Sequence, residues 1–235
     1  MNTLDAQTTV GELVVEQPGR ARVFERHGID FCCGGKTPLS DACAKKSIDI
    51  EQIIGELNAA DKAPATRDEA DWSKASLSNL IDHIVDTHHA YLVLELPRLS
   101  AIVAKVAEVH GERHPELAQV RSTYEALREE LESHMMKEEH ILFPAIRMME
   151  QSGGGGGLPF GSINNPIHMM EFEHDSAGRA LAQLRALTHD FTTPADGCNT
   201  YRAMLHGLER LEADLHLHIH KENNILFPRA AALEE

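Results

Sequence analysis

Two segments of the sequence pair a histidine with a glutamate four residues later. His134 precedes Glu138, and the pair recurs 84 residues further on as His218 and Glu222. Residues four apart lie on one face of a helix, and apolar residues continue that face in both copies, as in Leu127, Leu131 and Ile141, and in Leu211, Leu215 and Ile225. Burying an unpaired carboxylate is costly. The repeat therefore predicts a cation bound inside the protein.

Two further histidines complete this pattern. His89 and His174 each lie on an apolar stripe of another helical segment, 85 residues apart. His83 and His168 lie six residues earlier and point about 120° away on a helix, so they cannot face the same centre. His88 remains a rival to His89, because it lies on a second plausible face.

Four imidazoles and two carboxylates suit a pair of metal ions. Each ion would take two histidines, both glutamates would bridge, and room would remain for an oxo or hydroxo bridge and an external ligand. Nitrogen and oxygen donors without thiolate favour iron or manganese, whereas one tetrahedral zinc ion would not need six ligands. The predicted metal ligands are His89, His134, Glu138, His174, His218 and Glu222.

A pair of adjacent cysteines, Cys32 and Cys33, is followed by two glycines and Lys36. A thiol near a lysine or a helix end can have a lowered pKa and greater reactivity. The pair could bind a metal, exchange a disulfide or accept oxidation, but it lacks Cys-x-x-Cys spacing. Packing of a small domain is the alternative. We interpret Cys43 and Cys198 as structural.

Other polar and sulfur-containing residues receive simpler interpretations. Glu130 and Glu173 could support the histidines or line an access path, or form part of a solvated face. The Ile-Leu-Phe-Pro segment after each histidine–glutamate pair predicts core packing that ends in a helix stop. Four methionines are predicted to fill the core, namely Met135, Met136, Met169 and Met170. The remaining histidines are predicted to lie at the surface: His27, His110, His114, His140, His189, His206, His216 and His220.

The elements that must position these residues are helical throughout, which gives an all-α fold class. Residues 1–60 form a small helical domain, 61–75 a linker and 76–235 a four-helix bundle. Strand patterns are absent. The predicted bundle helices lie near 77–110, 113–149, 164–190 and 197–226, with the glycines at 153–157 as a flexible connection. Because one helical hairpin occurs twice, we expect pseudo-twofold symmetry.

Composition restricts the functional class. The formal net charge is −15, which argues against nucleic acid and anionic lipid as partners. No apolar run reaches the length of a membrane helix, and the first residues lack the basic and apolar regions of a signal peptide. Only four cysteines occur, two of them adjacent, so we expect a reducing cytoplasm.

In combination, these motifs resemble the RIC (repair of iron centres) family of YtfE/ScdA/DnrN/NorA-like proteins. The similarity rests on Asp30-Phe-Cys-Cys-Gly-Gly-Lys36, His134-Met-Met-Lys-Glu138, Glu173-His174-Asp175 and His218-x-x-x-Glu222-Asn-Asn-Ile-Leu-Phe-Pro228. It implies an N-terminal ScdA-type domain joined to a hemerythrin-like antiparallel four-helix bundle. The six predicted ligands would bind two iron ions, and Cys32 and Cys33 would match the cysteine pair of the family.

The resemblance also implies cytoplasmic repair of iron–sulfur clusters damaged by nitrosative or oxidative stress, by supply of iron. Damaged iron–sulfur proteins would be partners, and nitric oxide or dioxygen would be small ligands. The alternatives are a nitric-oxide buffer or sensor and an enzyme that reduces nitric oxide at the di-iron centre. The sequence leaves the oligomeric state open, with a homodimer among the options.

Overall fold

The computed structural model describes residues 4–62, 70–154 and 157–234. Within these ranges the fold is helical and contains no strand. The N-terminal part has four short helices: α1 (Val10–Glu16), α2 (Ala21–Arg26), α3 (Leu39–Lys46) and α4 (Ile50–Ala60). Thr9 and Glu12 form a capping box at the start of α1, which satisfies backbone N–H groups that the helix leaves unpaired.

Four long helices form the second part, and π-helical segments interrupt three of them. α5 consists of Leu77–His83, the π segment Ile84–His89 and Ala90–His110. α6 consists of Leu117–Lys137, the π segment Glu138–Leu142 and Phe143–Ser152. α7 is Asn164–Leu187, and α8 consists of Asn199–Lys221, the π segment Glu222–Leu226 and Phe227–Ala231.

The bundle core has two apolar clusters, separated along the helices by the predicted metal ligands. One cluster contains Leu92, Leu131, Ala177 and Leu215, among others. The other contains residues near the opposite ends of the same helices, including Ile81 and Phe143. The buried histidines and glutamates thus form a polar layer between two apolar layers.

The π segments account for two incorrect predictions. Ile141 is 49% exposed instead of continuing the core stripe, and Leu142 is buried in its place. A π turn contains more residues than an α turn, so the stripe after Glu138 shifts by one position. The second incorrect prediction is the helix stop at each Ile-Leu-Phe-Pro segment. The helices continue past Pro144 and Pro228. Each proline lies in the first turn of the α segment after a π segment, where its missing N–H is tolerated.

Other predictions have mixed outcomes. Met135 and Met170 are buried, but Met136 and Met169 are 62% and 52% exposed, so the core prediction is wrong for the second pair.

The glycine connection and the linker lie partly outside the described residues, at 155–156 and 63–69. The domain boundaries stay a prediction.

The small N-terminal part packs on α8 against two histidines that the sequence predicts to be exposed. The Phe31 ring lies edge-on to His220 at 5.5 Å and to His216 at 6.1 Å between centroids. His220 is only 4% exposed. The surface prediction for these histidines is therefore wrong, because the sequence of α8 does not reveal that another domain covers this face.

Candidate metal centre

All six predicted ligands meet in the layer between the two apolar clusters. In one group, the donor atoms of His89, Glu138, His218 and Glu222 lie within 4.8 Å of one another. In the other group, the donor atoms of His134, Glu138, His174 and Glu222 also lie within 4.8 Å of one another. We call them the α5/α8 half and the α6/α7 half after the helices that supply the histidines. Both halves share both glutamates.

Each glutamate directs one oxygen towards each half. Glu138 Oε2 lies 3.3 Å from His89 Nε2, and its Oε1 lies 3.3 Å from His134 Nε2. Glu222 Oε1 lies 3.1 Å from His218 Nε2, and its Oε2 lies 3.2 Å from His174 Nε2. A carboxylate with one oxygen in each of two donor groups has the arrangement of a bridging ligand.

The donor atoms are poorly satisfied by protein alone. Both glutamates are 0% exposed, and no hydrogen bond from the described residues reaches either oxygen of Glu138 or Oε2 of Glu222. His134 Nε2 and His174 Nε2 face each other at 3.0 Å. Buried polar atoms are normally hydrogen-bonded. The six residues therefore fit a pair of bound cations.

The electrostatics favour ionised carboxylates at this site. Burial would raise the pKa of Glu138 and of Glu222, but the neighbouring imidazoles outweigh it and the net shift is downward for both. Burial also opposes a charge on His134, yet Glu138 and the surrounding carboxylates raise its pKa to about 9. Without a metal, protons on imidazole thus partly balance the two anions.

Three of the four histidines have a hydrogen-bond partner that orients the ring. His89 Nδ1 lies 2.7 Å from Glu139 Oε1, and His174 Nδ1 lies 2.8 Å from Asn223 Oδ1. Such a bond places the proton on Nδ1 and leaves Nε2 free to bind a metal. Sequence reasoning missed both partners, although they occupy equivalent repeat positions directly after the glutamates.

The third partner settles one of the open alternatives. Glu173 Oε2 lies 2.9 Å from His134 Nδ1, and its other oxygen bonds to Lys137. Glu173 therefore supports a histidine and does not merely lie on a solvated face. Glu130 bonds to Ser176 at 3.2 Å and lines a cavity beside the site.

His88, the alternative to His89 as a predicted ligand, is buried. It does not belong to either group of donor atoms. Its Nδ1 lies 2.9 Å from Asp214 and its Nε2 lies 2.9 Å from Lys221 Nζ. Burial, with the nearby Lys221 charge, lowers the pKa of His88 to about 3. The neutral ring stacks on His218 with an interplanar angle of 4°. His218 Nδ1 has no hydrogen-bond partner among the described residues.

A small cavity adjoins the donor atoms. Its volume is about 10 Å³, which is near the minimum for one water molecule. It gives the site room for one small ligand. Its lining includes Glu130, Leu131, His134, Glu173, His174 and Ala177 from α6 and α7, and Leu215, His218 and Ile219 from α8.

The cysteine pair lies against the same region. Cys33 Sγ is 3.4 Å from the backbone oxygen of His174. Cys32 is buried, and its contact with Cys33 together with burial raises its pKa well above the ordinary value. The thiol of Cys32 is therefore protonated at neutral pH and lacks the lowered pKa that a nearby lysine or helix end can produce.

Two further residues lie in contact far from the site. His110 is buried, so its surface prediction is wrong, and Cys198 is exposed. His110 Nε2 lies 3.2 Å from Cys198 Sγ. Backbone N–H groups and this imidazole lower the pKa of Cys198 to about 7. Neither residue contributes to the metal centre.

Comparison with known proteins agrees with this geometry. Residues 80–230 match the hemerythrin HHE cation binding domain, and residues 6–61 match ScdA_N, a domain of unknown function. The Escherichia coli O157:H7 iron-sulfur cluster repair protein YtfE is 41% identical over 96% of this chain and 97% of its own length. The chain belongs to the YtfE family of iron-sulfur cluster repair proteins.

A second relative is similarly close. The Haemophilus influenzae protein named "Probable iron-sulfur cluster repair protein" is 38% identical over 95% of this chain and 96% of its own length. The hemerythrin-like domain implies iron as the bound metal. In the part of the chain that the structure describes, no helix has the length and apolar character needed to cross a bilayer.

Proposed function

We propose that this protein repairs damaged iron–sulfur clusters by supplying iron from a di-iron centre in its four-helix bundle. His134 and His174 would hold one iron, and His89 and His218 would hold the other. Glu138 and Glu222 would bridge the two ions. The names of the relatives give them a role in iron–sulfur cluster repair. The match of this chain to them over nearly its full length supports the same role here.

One observation carries the proposal: each buried glutamate has one oxygen in each of the two histidine pairs. A single cation would leave one pair of imidazoles unused. Two cations would use all six residues and neutralise both carboxylates. Dinuclear iron sites of this kind are built from facing helices of bundles.

The residues around the centre hold its ligands in place. Glu139, Glu173 and Asn223 accept hydrogen bonds from Nδ1 of their histidines, so the Nε2 atom of each of these rings faces the centre, where it would bind a metal. The apolar layers on both sides exclude bulk water. Bound iron would supply exchangeable metal ions and open coordination positions for a small ligand.

The proposed partners are iron–sulfur proteins that have lost iron, and the proposed compartment is the cytoplasm. All four cysteines are free thiols, which suits a reducing environment. Carboxylates can change between bridging and terminal binding, which would help an iron ion to leave.

The test begins with iron content and Mössbauer spectroscopy of the purified protein. We expect two coupled irons per chain, and we expect the iron-loaded protein to reactivate nitric-oxide-damaged aconitase. Glu138→Gln/Glu222→Gln should lose both properties. A matched control, Glu129→Gln/Glu209→Gln, changes exposed glutamates on the same helices and should retain them. Equal reactivation by the two double variants would refute the proposal.

The cavity beside the centre supports a second candidate function, in which nitric oxide is bound or reduced. Its volume of about 10 Å³ restricts it to very small ligands. Reduction of two nitric oxide molecules to nitrous oxide and water needs two electrons and two protons. Repeated turnover with an added electron donor would identify an enzyme, whereas uptake of nitric oxide without nitrous oxide would identify a buffer or sensor.

A further inference from the structure

A second cluster of metal-binding side chains lies outside the bundle core, in the turn after α2. One donor atom from each of Asp30, Cys32 and Cys33 lies within 4.8 Å of the other two. Cys32 Sγ is 3.2 Å from Asp30 Oδ1, and the two sulfurs are 3.9 Å apart. Asp30 is exposed and Cys33 half-buried, so an ion from solvent can reach the cluster.

The backbone fixes this arrangement. Asp30 Oδ1 accepts hydrogen bonds from the backbone N–H groups of Cys32 and Cys33, both at 3.0 Å. One oxygen of the carboxylate therefore stabilises the turn. The second oxygen, Oδ2, is the atom that would bind a metal ion. This turn brings the two sulfurs of adjacent residues to the same side.

The turn is also held against the candidate metal centre. Asn224 donates to the backbone oxygens of Phe31 and Cys32, at 3.2 and 3.3 Å. A Cβ atom on Gly35 would lie 2.3 Å from the Asn224 side chain, so only glycine permits this approach. Asn224 comes two residues after Glu222, and its position links the turn to the π segment of α8.

The sulfur of Cys33 lies beside a predicted ligand of the centre. It is 3.4 Å from the backbone oxygen of His174, and a Cβ atom on Gly178 would lie 3.5 Å from it. This is an ordinary contact distance, so Gly178, one turn after His174, also borders the sulfur. The thiol of Cys33 therefore lies beside a histidine of the α6/α7 half.

We propose that Asp30, Cys32 and Cys33 bind one divalent transition-metal ion as a separate, solvent-accessible site beside the core. Thiolate and carboxylate donors together suit Fe²⁺, Co²⁺ or Zn²⁺ better than Mg²⁺ or Ca²⁺. On binding, both thiols release their protons to solvent and two metal–sulfur bonds form, with no change in oxidation state. That Fe²⁺ is the physiological ion, received on its way out of the core, rests on the proposed function.

The test uses the full-length, iron-loaded protein and Co²⁺ alone as the probe. Thiolate bound to Co²⁺ absorbs in the near ultraviolet, whereas imidazole and carboxylate do not give this charge-transfer band. We expect the band to saturate at one equivalent and to disappear in Cys32→Ser/Cys33→Ser. The control Cys43→Ser, which removes another thiol of the small domain, should retain it.

A second variant tests the carboxylate without disturbing the turn. Asp30→Asn keeps an oxygen that can accept both backbone hydrogen bonds but removes the charge, and we expect it to weaken Co²⁺ binding by at least about 10-fold. Co²⁺ should also slow alkylation of Cys33. The proposal is overturned if the wild-type protein gives no band, or if the band persists in the double serine variant.

Failure here can be distinguished from failure of the proposed function. Glu138→Gln/Glu222→Gln should lose the core irons and still give the Co²⁺ band. A protein that holds two core irons and repairs clusters but gives no band would reject only the thiol site. A protein that gives the band but holds no core iron would reject only the di-iron centre.

Discussion

The two halves of the candidate centre use the same ligands but have different surroundings. In the α6/α7 half, both histidines have a hydrogen-bond acceptor, and the backbone of His174 contacts Cys33. In the α5/α8 half, His89 has an acceptor, but His218 stacks on His88 and its Nδ1 has none among the described residues. The difference arises at one repeat position, where Glu173 in one half corresponds to His88 in the other.

We expect this difference to give the two halves unequal roles in the proposed function. The α6/α7 half is next to the thiol pair, and both of its histidines line the small cavity. Of the α5/α8 histidines, only His218 lines that cavity. We therefore expect ligands to enter, and iron to leave, through the α6/α7 half. The repeat makes the ligands symmetric, while the small domain and the outer partners make the exchange path asymmetric.

The largest effect on iron binding is expected from substitution of a residue that contacts the histidines of both halves. Glu222→Gln should lower the iron affinity of both halves together, by more than the roughly 10–100-fold that loss of an outer partner causes. Iron per chain, measured against free Fe²⁺, checks this. Retention of one tightly bound iron would contradict a bridging role.

Loss of an outer partner should separate the halves. Glu173→Leu leaves His134 Nδ1 without its acceptor, so we expect the α6/α7 half to lose iron first, with an affinity lower by about 10–100-fold. Two distinct binding steps in an Fe²⁺ titration would show it. The control Asp175→Leu changes an exposed neighbour of His174, and a matching loss there would reject the explanation.

Filling the cavity should slow exchange while leaving affinity nearly unchanged. Ala177→Val adds two methyl groups to a buried wall of the cavity, at a cost in stability of about 1–3 kcal/mol. We expect slower release of iron to a chelator, followed by stopped-flow absorbance. Ala230→Val, in the apolar cluster on the other side of the site, should destabilise the protein without slowing release.

The smallest effect is expected at the edge of the α6/α7 half. Lys137 is half-buried and pairs with Glu173, and such partly exposed pairs contribute about 1 kcal/mol or less. Lys137→Gln should therefore reduce iron affinity by less than about 10-fold. The same Fe²⁺ titration measures this, and a loss as large as that of Glu173→Leu would show that the lysine has a role beyond pairing.

The sequence was sufficient to predict which buried polar side chains come together, because charged residues on an apolar helical stripe are visible in the pattern. Glu138 and Glu222 interrupt apolar stripes, and the structure brings them together with all four predicted histidines. The bundle helices were predicted for the same reason. Their periodicity extends over many turns.

The errors share a different cause. Ile141 was misassigned because a π turn changes the phase of a stripe without an obvious sequence signal. His220 was misassigned because its cover comes from a residue 189 positions earlier, Phe31. Glu139 and Asn223 were missed because their partners lie on other helices. Local periodicity contains no information about contacts between distant segments.

The π segments have a consequence for how the chain can change in length. Each one holds a surplus residue next to a glutamate or histidine of the centre, so the helix after it is turned relative to an uninterrupted α-helix by the roughly 100° that one residue represents. Deleting one residue within Glu138–Leu142 would restore a continuous spiral, yet would misalign either the donor layer or the apolar cluster beyond it. Deletions of a single residue are thus least tolerable in the middle of these long helices and most tolerable in the connections between them.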